Sequence, residues 1–251
     1  MEKFVQFAQT LAAASAAIIQ PYFRTRLTVD RKADHSPVTI ADKKAEETMR
    51  EMIMREFPDH GIWGEEFGQY NPRAEYSWML DPIDGTKSFI SGSPLFGTLI
   101  ALMRNGRPVL GVINHPALNQ CLIGAEGETR LNGEKVSVRP CATIENAVLL
   151  TSSHWDVHEH QNGPAFDVMS KRTRIYRTWG DCYGYSSLAA GFSDIMLDPI
   201  MNPWDIMALV PVVEGAGGRI TDWHGNDPVS GTSIIATAGP IHDAVVRTLN
   251  P

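Results

Sequence analysis

Residues 78–89 constrain the fold of this chain more than any other segment. Their first members are apolar and predict a buried strand that ends at Asp81, where Pro82 interrupts the ladder of backbone hydrogen bonds. Asp84 follows at a turn that Gly85 relaxes, and a helix is expected to open beyond it. The segment therefore predicts a strand, a tight turn and a helix, with two carboxylates brought to one point.

The start of that helix is a second reason to expect a binding site. The first N–H groups of a helix have no intrahelical partner, and the positive end of the helix dipole lies there. A phosphate oxygen binds well at such a position, which Gly85 and Thr86 would form here. An ordinary turn with Asp84 as the helix N-cap is the alternative, and the complete pattern of residues 78–89 favours the binding site.

Charge and hydropathy limit the partners of the chain. Its formal net charge of -7 over 251 residues argues against nucleic acid, because affinity for nucleic acid depends on Lys and Arg. An acidic protein that binds an anion needs local positive charge, and bound divalent cations supply it. No stretch reaches the roughly 18 apolar residues of a membrane-spanning helix, so we expect no membrane partner.

The cysteines and the start of the chain bear on its location. Cys121, Cys141 and Cys182 show no CxxC spacing, which fits reduced thiols in a cytosolic protein. Cys182 is interpreted as a small buried residue rather than a nucleophile, because no partnered base is evident. Residues 4–19 carry apolar side chains at helical spacing and predict an amphipathic helix rather than a signal peptide. We therefore expect a cytoplasmic protein.

The first 146 residues have an α+β pattern. A helix is predicted over residues 41–57, started by Thr39 with Asp42 in the capping-box position. Short apolar runs follow, and Asn-Gly pairs at 105–106 and 132–133 are strong hairpin signals. This portion predicts an antiparallel meander with strands over residues 78–80, 97–103, 109–114 and 120–125.

After about residue 146 strands and helices alternate, which is typical of α/β structure. Strands are predicted over residues 147–151, 174–177, 195–197 and 233–237, and helices over residues 183–190 and 203–213 and from residue 240 onward. We expect two subdomains, residues 1–146 and 147–251, packed tightly with a cleft between them.

Several segments together resemble the inositol monophosphatase-like family of lithium-sensitive, magnesium-dependent phosphatases. Residues 78–89 match its WxxDPxDGTxxF signature, and the GEE at 64–66 and the WD at 204–205, followed by AGG, resemble its other motifs. Lys32 and the TIAD at 39–42 stand where the family carries a lysine and a TxxD helix start. The resemblance spans nearly the whole chain. It implies a layered αβαβα sandwich of the inositol monophosphatase/fructose bisphosphatase type, and a homodimer.

The same resemblance implies a metal site that the DPIDGT turn begins and residues 147–251 complete. Its ligands are oxygen donors, which suit two or three Mg²⁺ ions, with Mn²⁺ as a possible substitute. Glu65 and Thr86 would orient the attacking water, and Asp84 would also be catalytic. Asp42 would hold waters of a third, weaker ion or would only complete the capping box, and the sequence leaves both open. The implied ligands are Glu65, Asp81, the carbonyl of Ile83, Asp84 and Asp205, with Asp42 for the weaker ion.

The substrate is suggested by departures from inositol-cleaving members. GDCY at 180–183 replaces their GTAA-like turn, Asp198 replaces a Glu, and a TDW stands at 221–223. These features resemble the histidinol-phosphate phosphatase branch. Histidinol phosphate carries an ammonium and an imidazole that can become cationic, and Asp181 and Asp198 would attract both. As alternatives, Asp181 could cap a helix from Tyr183, and Asp198 could only end a strand.

The resemblance therefore implies a magnesium-dependent phosphomonoesterase that hydrolyses L-histidinol phosphate to L-histidinol and phosphate in histidine biosynthesis. The alternatives are an inositol monophosphatase or a broad-specificity sugar-phosphate phosphatase, and more remotely a 3'-phosphonucleotide phosphatase. A catalytically silent regulatory homologue is the non-enzyme alternative, although every matched metal position retains its oxygen donor. The residues expected to bind the substrate are Gly85, Thr86, Asp181, Asp198 and Asp205.

Three histidines, His154, His158 and His160, form a separate cluster in the sequence. Histidines at positions i and i+4 can make a zinc site on a helix. The segment lacks the glutamate of an HExxH pattern, and the sequence after it is polar and typical of a loop. The sequence thus gives little support for a metal here and leaves the role of the cluster open.

Overall fold

A computed structural model describes residues 1–26, 28–31 and 37–251. Two long helices, α1 (Glu2–Ile19) and α2 (Ile40–Glu56), confirm the helices predicted near the start of the chain. A short antiparallel pair of strands, β1 (Asp30–Arg31) and β2 (Pro37–Val38), lies between them in sequence. Lys32 lies outside the described residues. Among the described helices, none has both the length and the apolar composition that a membrane crossing requires.

The first large sheet has eight strands in the order β10-β9-β8-β7-β6-β5-β3-β4. Neighbouring strands are antiparallel except β3 and β5, which are parallel. The predicted hairpins are confirmed, because Asn105 and Gly106 both have positive φ, as do Asn132 and Gly133. The strands are β3 (Gly61–Gly64), β4 (Gly68–Tyr70), β5 (Tyr76–Asp84), β6 (Gly97–Arg104), β7 (Arg107–His115), β8 (Gln120–Ala125), β9 (Glu128–Leu131) and β10 (Glu134–Val136), and helix α3 (Thr86–Ile90) follows β5.

The second sheet has five strands in the order β12-β11-β13-β15-β14. Strand β11 is parallel to both its neighbours, whereas β15 is antiparallel to β13 and β14. The strands are β11 (Val148–Thr151), β12 (Ile175–Arg177), β13 (Ile195–Asp198), β14 (Arg219–Thr221) and β15 (Ile234–Thr237). The helices are α4 (His154–His160), α5 (Gly163–Arg172), α6 (Asp181–Ala189), α7 (Pro203–Ile206), α8 (Leu209–Gly215) and α9 (His242–Leu249), and 3₁₀ turns occur at Gln20–Tyr22, Ile144–Asn146 and Pro228–Ser230.

The alternation of strands and helices predicted after residue 146 is confirmed, with two corrections. The segment after His160, interpreted as a loop, forms helix α5, which Asn162 caps by accepting a hydrogen bond from the backbone N–H of Ala165.

The single helix predicted over residues 203–213 is two helices, α7 and α8, separated at Met207 and Ala208. Pro211 explains the break, because it has no N–H to donate to the carbonyl of Met207 and is tolerated only in the first turn of a helix. This break separates the short helix that carries Asp205 from the helix that packs in the core.

Helices and sheets stack in five layers, which confirms the predicted αβαβα sandwich. Helices α1 and α2 pack on the outer face of the eight-stranded sheet, where Leu11 and Ile53 join one buried cluster with Trp78. Helices α6 and α8 lie in the cluster between the two sheets, and α5 and α9 contribute Phe166 and Val245 to the cluster on the outer face of the five-stranded sheet.

The expected boundary near residue 146 falls between β10 of one sheet and β11 of the other. The cluster between the sheets takes side chains from both parts, with Met79 and Ile113 from the first and Met196 and Val212 from the second. The two parts therefore share one large apolar interface, and their separation into subdomains stays a prediction.

Candidate active site

Asp81 and Asp84 reach the same edge of the eight-stranded sheet, as predicted from residues 78–89. Pairing between β5 and β6 is regular up to Asp81, shifts in register, and resumes at Asp84. The carbonyl of Pro82 accepts a hydrogen bond from Oγ1 of Thr98 at 2.8 Å, which holds the irregular segment to β6. Backbone N–H of Cys182 donates to Oδ2 of Asp84 and joins this edge to helix α6.

The turn after Asp84 also has the predicted form. Gly85 has a φ of +79°, a left-handed conformation that favours glycine, and α3 begins at the next residue. Oγ1 of Thr86 donates to the carbonyl of Ile83 at 3.0 Å. A carbonyl oxygen has two lone pairs, so the Ile83 carbonyl can accept this bond and also ligate a cation.

Glu65 comes to this point from strand β3. Strand β3 pairs with β5 in parallel, with Gly64 beside Leu80, and the backbone N–H of Glu65 donates to the carbonyl of Leu80 at 3.1 Å. Parallel strands that end together put the residues after them at one edge of the sheet. Glu65 therefore lies next to Asp81, and its charge is one cause of the raised pKa of Asp81.

Asp205 completes the cluster from the second half of the chain. It lies on α7, where its Oδ2 accepts a hydrogen bond from the backbone N–H of Asn202 at 2.7 Å. One ligand oxygen from each of Asp81, Asp84 and Asp205 lies within 4.8 Å of the others. The structure thus brings together carboxylates that are far apart in the sequence.

Burial and mutual repulsion disfavour the charged forms of these carboxylates. Burial is the main cause that raises the pKa of Asp81, Asp84 and Asp205, and nearby carboxylates raise each pKa further. Oδ1 of Asp81 is buried, and none of the described residues donates a hydrogen bond to it. Buried carboxylates are expensive without compensating charge, and a divalent cation with oxygen ligands supplies that charge. The residues present therefore fit Mg²⁺ or a similar ion.

A cleft of about 710 Å³ opens beside this cluster. Asp84 and Asp205 form part of its lining, and so do Asp156, Asp181 and Asp198. Lys87 is the one cationic side chain among the described residues that line it. The cleft is therefore strongly acidic, so it would attract positively charged groups.

Comparison with known proteins agrees with this geometry. A family model described as the inositol monophosphatase family matches residues 1–250. The chain belongs to this family. Bifunctional phosphatase IMPL2, chloroplastic, of Arabidopsis thaliana is 45% identical over 228 residues, which cover 90% of this chain and 66% of that longer protein. A histidinol-phosphatase of Chlorobaculum parvum is 40% identical over 228 residues, which cover 90% of this chain and 88% of that protein.

A solved structure supports the same assignment. An inositol monophosphatase from Zymomonas mobilis superposes with a TM-score of 0.90 at 40% sequence identity, covering 100% of this chain and 98% of that one. This superposition confirms the fold predicted from the sequence, a layered sandwich of the inositol monophosphatase type.

Asp181 does not cap the helix in the way that one alternative predicted. Helix α6 begins at Asp181 itself, with Gly180 at the cap position and no hydrogen bond from a capping side chain. Backbone N–H of Asp181 donates to Oγ of Ser152 at 2.7 Å, and Oγ of Ser88 donates to its Oδ2 at 3.3 Å. Burial is the main cause that raises the pKa of Asp181. This carboxyl lies against Gly85, where a Cβ would be 2.9 Å from Oδ2.

Asp198 ends strand β13, as one alternative predicted, and it also lines the cleft. Its side chain is only 4% exposed. Tyr185 donates its hydroxyl to Oδ2 at 2.8 Å, and the backbone N–H of Ser152 donates to Oδ1 at 3.3 Å. Burial raises the pKa of Asp198 to about 7, and the charge of Asp181 contributes to the increase.

Asp42 completes the capping box of α2. Its Oδ2 accepts hydrogen bonds from the backbone N–H and the hydroxyl of Thr39, at 2.8 and 2.7 Å. Burial is the main cause that raises the pKa of Asp42, and the charge of Glu65 raises it as well. The capping alternative is confirmed, and a role with a third ion stays a prediction.

Glu46 is a site residue that the sequence interpretation missed. It lies on α2 with no exposed surface, and its carboxylate accepts hydrogen bonds from the backbone N–H groups of Glu66 and Phe67 at 2.7 and 3.2 Å. Arg50 donates to Oε1 at 3.2 Å. The signal in the sequence is a Glu and an Arg four residues apart, directly beside the apolar stripe that includes Ala45 and Met49.

The remaining residues considered in the sequence are Cys182 and the three histidines of α4. Cys182 is buried, as predicted, and burial raises the pKa of its thiol well above the usual range, which disfavours the thiolate form. His154 and His158 meet Asp167 of α5, whereas His160 lies exposed at the end of α4.

Proposed function

We propose that this protein is a magnesium-dependent phosphomonoesterase that hydrolyses L-histidinol phosphate to L-histidinol and phosphate, in histidine biosynthesis. The observation that carries the proposal is the acidic cleft that adjoins the carboxylate cluster, because its lining includes Asp181 and Asp198, which are not among the expected metal ligands. Two different tasks explain the two groups of carboxylates. One group holds cations that bind the phosphate, and the other attracts the cationic part of the substrate.

The first group would hold two or three Mg²⁺ ions, with Mn²⁺ as a possible substitute. When bound, the ions would attract the phosphate oxygens and lower the pKa of the attacking water. Oγ1 of Thr86 donates its proton to the Ile83 carbonyl, so its lone pairs would accept a hydrogen bond from that water. Glu65 would accept a hydrogen bond from the other proton of that water, and the two contacts together would fix the direction in which the water attacks the phosphate. The ligands in this proposal are Glu65, Asp81, the carbonyl of Ile83, Asp84 and Asp205.

The second group would bind the leaving aminoalcohol. Histidinol carries an ammonium group and an imidazole with a pKa near neutrality, and both are attracted by carboxylates in a cleft of low dielectric. Asp198 has a pKa of about 7, so a bound cation would favour its ionised form at neutral pH. Tyr185 and Ser152 fix the orientation of that carboxyl. Gly85 and Asp205 would complete the substrate contacts.

A second candidate function is the hydrolysis of inositol 1-phosphate or other sugar phosphates. The similarity to the Zymomonas mobilis inositol monophosphatase favours it, and the similarity to the Chlorobaculum parvum histidinol-phosphatase favours the first candidate. Both relatives are 40% identical to this chain, so identity alone does not choose between them. The acidic cleft favours histidinol phosphate, because inositol carries no positive charge.

Steady-state kinetics at saturating Mg²⁺ test the proposal. We expect kcat/KM for histidinol phosphate to exceed that for inositol 1-phosphate by at least about 100-fold, which corresponds to about 2.7 kcal/mol of preferential transition-state binding. Equal or reversed values would overturn the substrate assignment while leaving the phosphatase assignment intact. Failure to hydrolyse any phosphate monoester would support the catalytically silent alternative.

The same family resemblance predicts three further properties. These are a homodimeric assembly, inhibition by lithium and a cytoplasmic location. Light scattering of the purified protein measures the first, and titration of the hydrolysis rate with lithium measures the second. Microscopy of a fluorescent fusion in the host measures the third.

A further inference from the structure

A cluster of side chains on α4 and α5 lies outside the carboxylate site. Nε2 of His154 and Nε2 of His158 lie 3.2 and 3.0 Å from the same oxygen, Oδ1 of Asp167. One ligand atom from each of the three side chains lies within 4.8 Å of the others. We propose that His154, His158 and Asp167 form a second metal site, which takes a divalent transition metal of the zinc type.

The donor set decides the class of metal. Two imidazole nitrogens and one carboxylate oxygen suit Zn²⁺, Co²⁺ or Ni²⁺. The two imidazoles disfavour Mg²⁺, which prefers oxygen ligands throughout. Three protein ligands leave the fourth position of a tetrahedral ion to water. The site therefore differs in chemistry from the cluster of Asp81, Asp84 and Asp205, and it does not depend on the function proposed above.

The spacing of the ligand atoms fits a tetrahedral ion. Bonds of about 2.0 to 2.1 Å would separate neighbouring ligand atoms by about 3.3 to 3.4 Å. The two separations from Asp167 are 3.2 and 3.0 Å, close to the tetrahedral value, and one ligand atom of each histidine lies within 4.8 Å of the other. The two imidazole rings lie 5.3 Å apart between centroids with an interplanar angle of 26°, which is possible because i and i+4 positions are neighbours on one helix face.

Neighbouring residues hold the two rings in position. The hydroxyl of Tyr176, on β12, lies 3.0 Å from Nδ1 of His154, and such contacts to the far nitrogen orient metal-binding histidines. Gly163, at the start of α5, gives room to the other ring, since a Cβ there would lie 2.4 Å from Cγ of His158. These contacts restrict both imidazoles before any metal binds.

Proton positions are consistent in both states of the site. Without metal, Nε2 of His158 donates its proton to Oδ1 of Asp167, because a carboxylate only accepts hydrogen bonds. Tyr176 can donate to Nδ1 of His154, which then carries its own proton on Nε2. With metal, Nε2 of each histidine is the ligand and Nδ1 carries the proton. In His154 that N–H then donates a hydrogen bond to the hydroxyl oxygen of Tyr176. Tyr176 serves both states because a hydroxyl can donate and accept. The side chains of His154, His158 and Asp167 are 32%, 35% and 35% exposed, which leaves a path for the ion.

Co²⁺ titration of the full chain tests the site. The protein is treated with a chelator and dialysed, and excess Mg²⁺ is added to occupy the carboxylate cluster. We expect one equivalent of Co²⁺ to bind with the intense visible absorption of a four-coordinate ion, and Zn²⁺ to displace it. The absence of such a band would overturn the proposal.

Variants assign the band to individual side chains. His158→Ala and Asp167→Asn should weaken Co²⁺ binding by at least about 100-fold, and Tyr176→Phe by about 10-fold or more. His160→Ala is the matched control on the same helix and should bind Co²⁺ like the wild type. Thermal unfolding without metal checks that each variant folds, and Zn²⁺ should raise Tm in the wild type and His160→Ala but not in His158→Ala.

Asp84→Asn distinguishes this site from the carboxylate cluster. The variant alters an expected Mg²⁺ ligand and should keep the Co²⁺ band unchanged. A band that is lost in Asp84→Asn and kept in His158→Ala would put the ion in the carboxylate cluster and overturn the proposal.

Discussion

The carboxylate of Glu46 lies directly against the backbone of Gly64, where a Cβ atom would be 1.9 Å from Oε1. The same carboxylate accepts hydrogen bonds from the two N–H groups that follow Glu65. Helix α2 therefore fixes the turn that presents Glu65 to the carboxylate cluster. Gly64 is needed because any side chain would displace Glu46.

Replacement of Glu46 by Gln tests this positioning role. Gln is similar in size, but its amide NH₂ would face a backbone N–H group, so at least one hydrogen bond is lost. We expect the free energy of unfolding to fall by about 1 to 3 kcal/mol and kcat/KM to fall about tenfold. The Mg²⁺ concentration for half-maximal rate should rise, because Glu65 is less well positioned. Glu47→Gln, on the exposed side of the same helix, should change none of these, and equal effects in both variants would contradict the role of Glu46.

Asp84→Asn tests the metal assignment. The change removes one negative charge from a crowded cluster, so the metal-free protein should keep its fold and its Tm should stay the same or rise. Turnover should fall at least about 100-fold, and the stabilisation of the wild type by Mg²⁺ should shrink. Activity assays and thermal unfolding with and without a chelator measure both effects. A wild-type rate in the variant, or full activity of chelated wild-type protein, would refute the site.

Asp181→Asn tests the binding of the leaving group. Loss of one negative charge weakens attraction to a cationic aminoalcohol and leaves a neutral sugar nearly unaffected. We expect kcat/KM for histidinol phosphate to fall about 10- to 100-fold, with less than about a threefold change for inositol 1-phosphate. Asp156→Asn removes the same charge from another part of the cleft lining and is the control. A similar loss with both substrates would indicate a structural effect instead.

Much of the fold was predictable because its signals are local. The apolar run before Asp81, the proline after it and the left-handed glycine after Asp84 specify a strand, turn and helix without help from distant residues. The Asn-Gly hairpins are local in the same way. By contrast, Glu65 and Asp205 have no local pattern that marks a ligand, and only resemblance to a family connected them with Asp81.

The features that were missed depend on tertiary packing. Glu46 resembles an ordinary polar residue on a helix until α2 packs on the sheet and encloses it with the turn at Gly64. Asp167 is five residues into α5 and joins His154 and His158 only because α4 and α5 pack together. A sequence pattern gives the spacing within one helix, and it does not give the residue that a second helix contributes.

We expect the burial of His115 to make the folded protein less stable in acid. It is fully buried, with Nδ1 2.9 Å from the carbonyl of Phe96 and Nε2 2.8 Å from Oγ of Ser186, and burial lowers its pKa to about 4. The pKa of this histidine in the unfolded chain is about 6.5. Between pH 6.5 and pH 4 the unfolded state therefore binds more protons than the folded state. The stability present above pH 6.5 is lost as the pH falls through this range. This histidine should cost about 2 kcal/mol between pH 7.5 and pH 5. Urea unfolding at both pH values should therefore show a smaller loss of unfolding free energy for His115→Gln than for the wild type. The exposed control His160→Gln should lose as much as the wild type. Equal losses in all three proteins would refute the assignment.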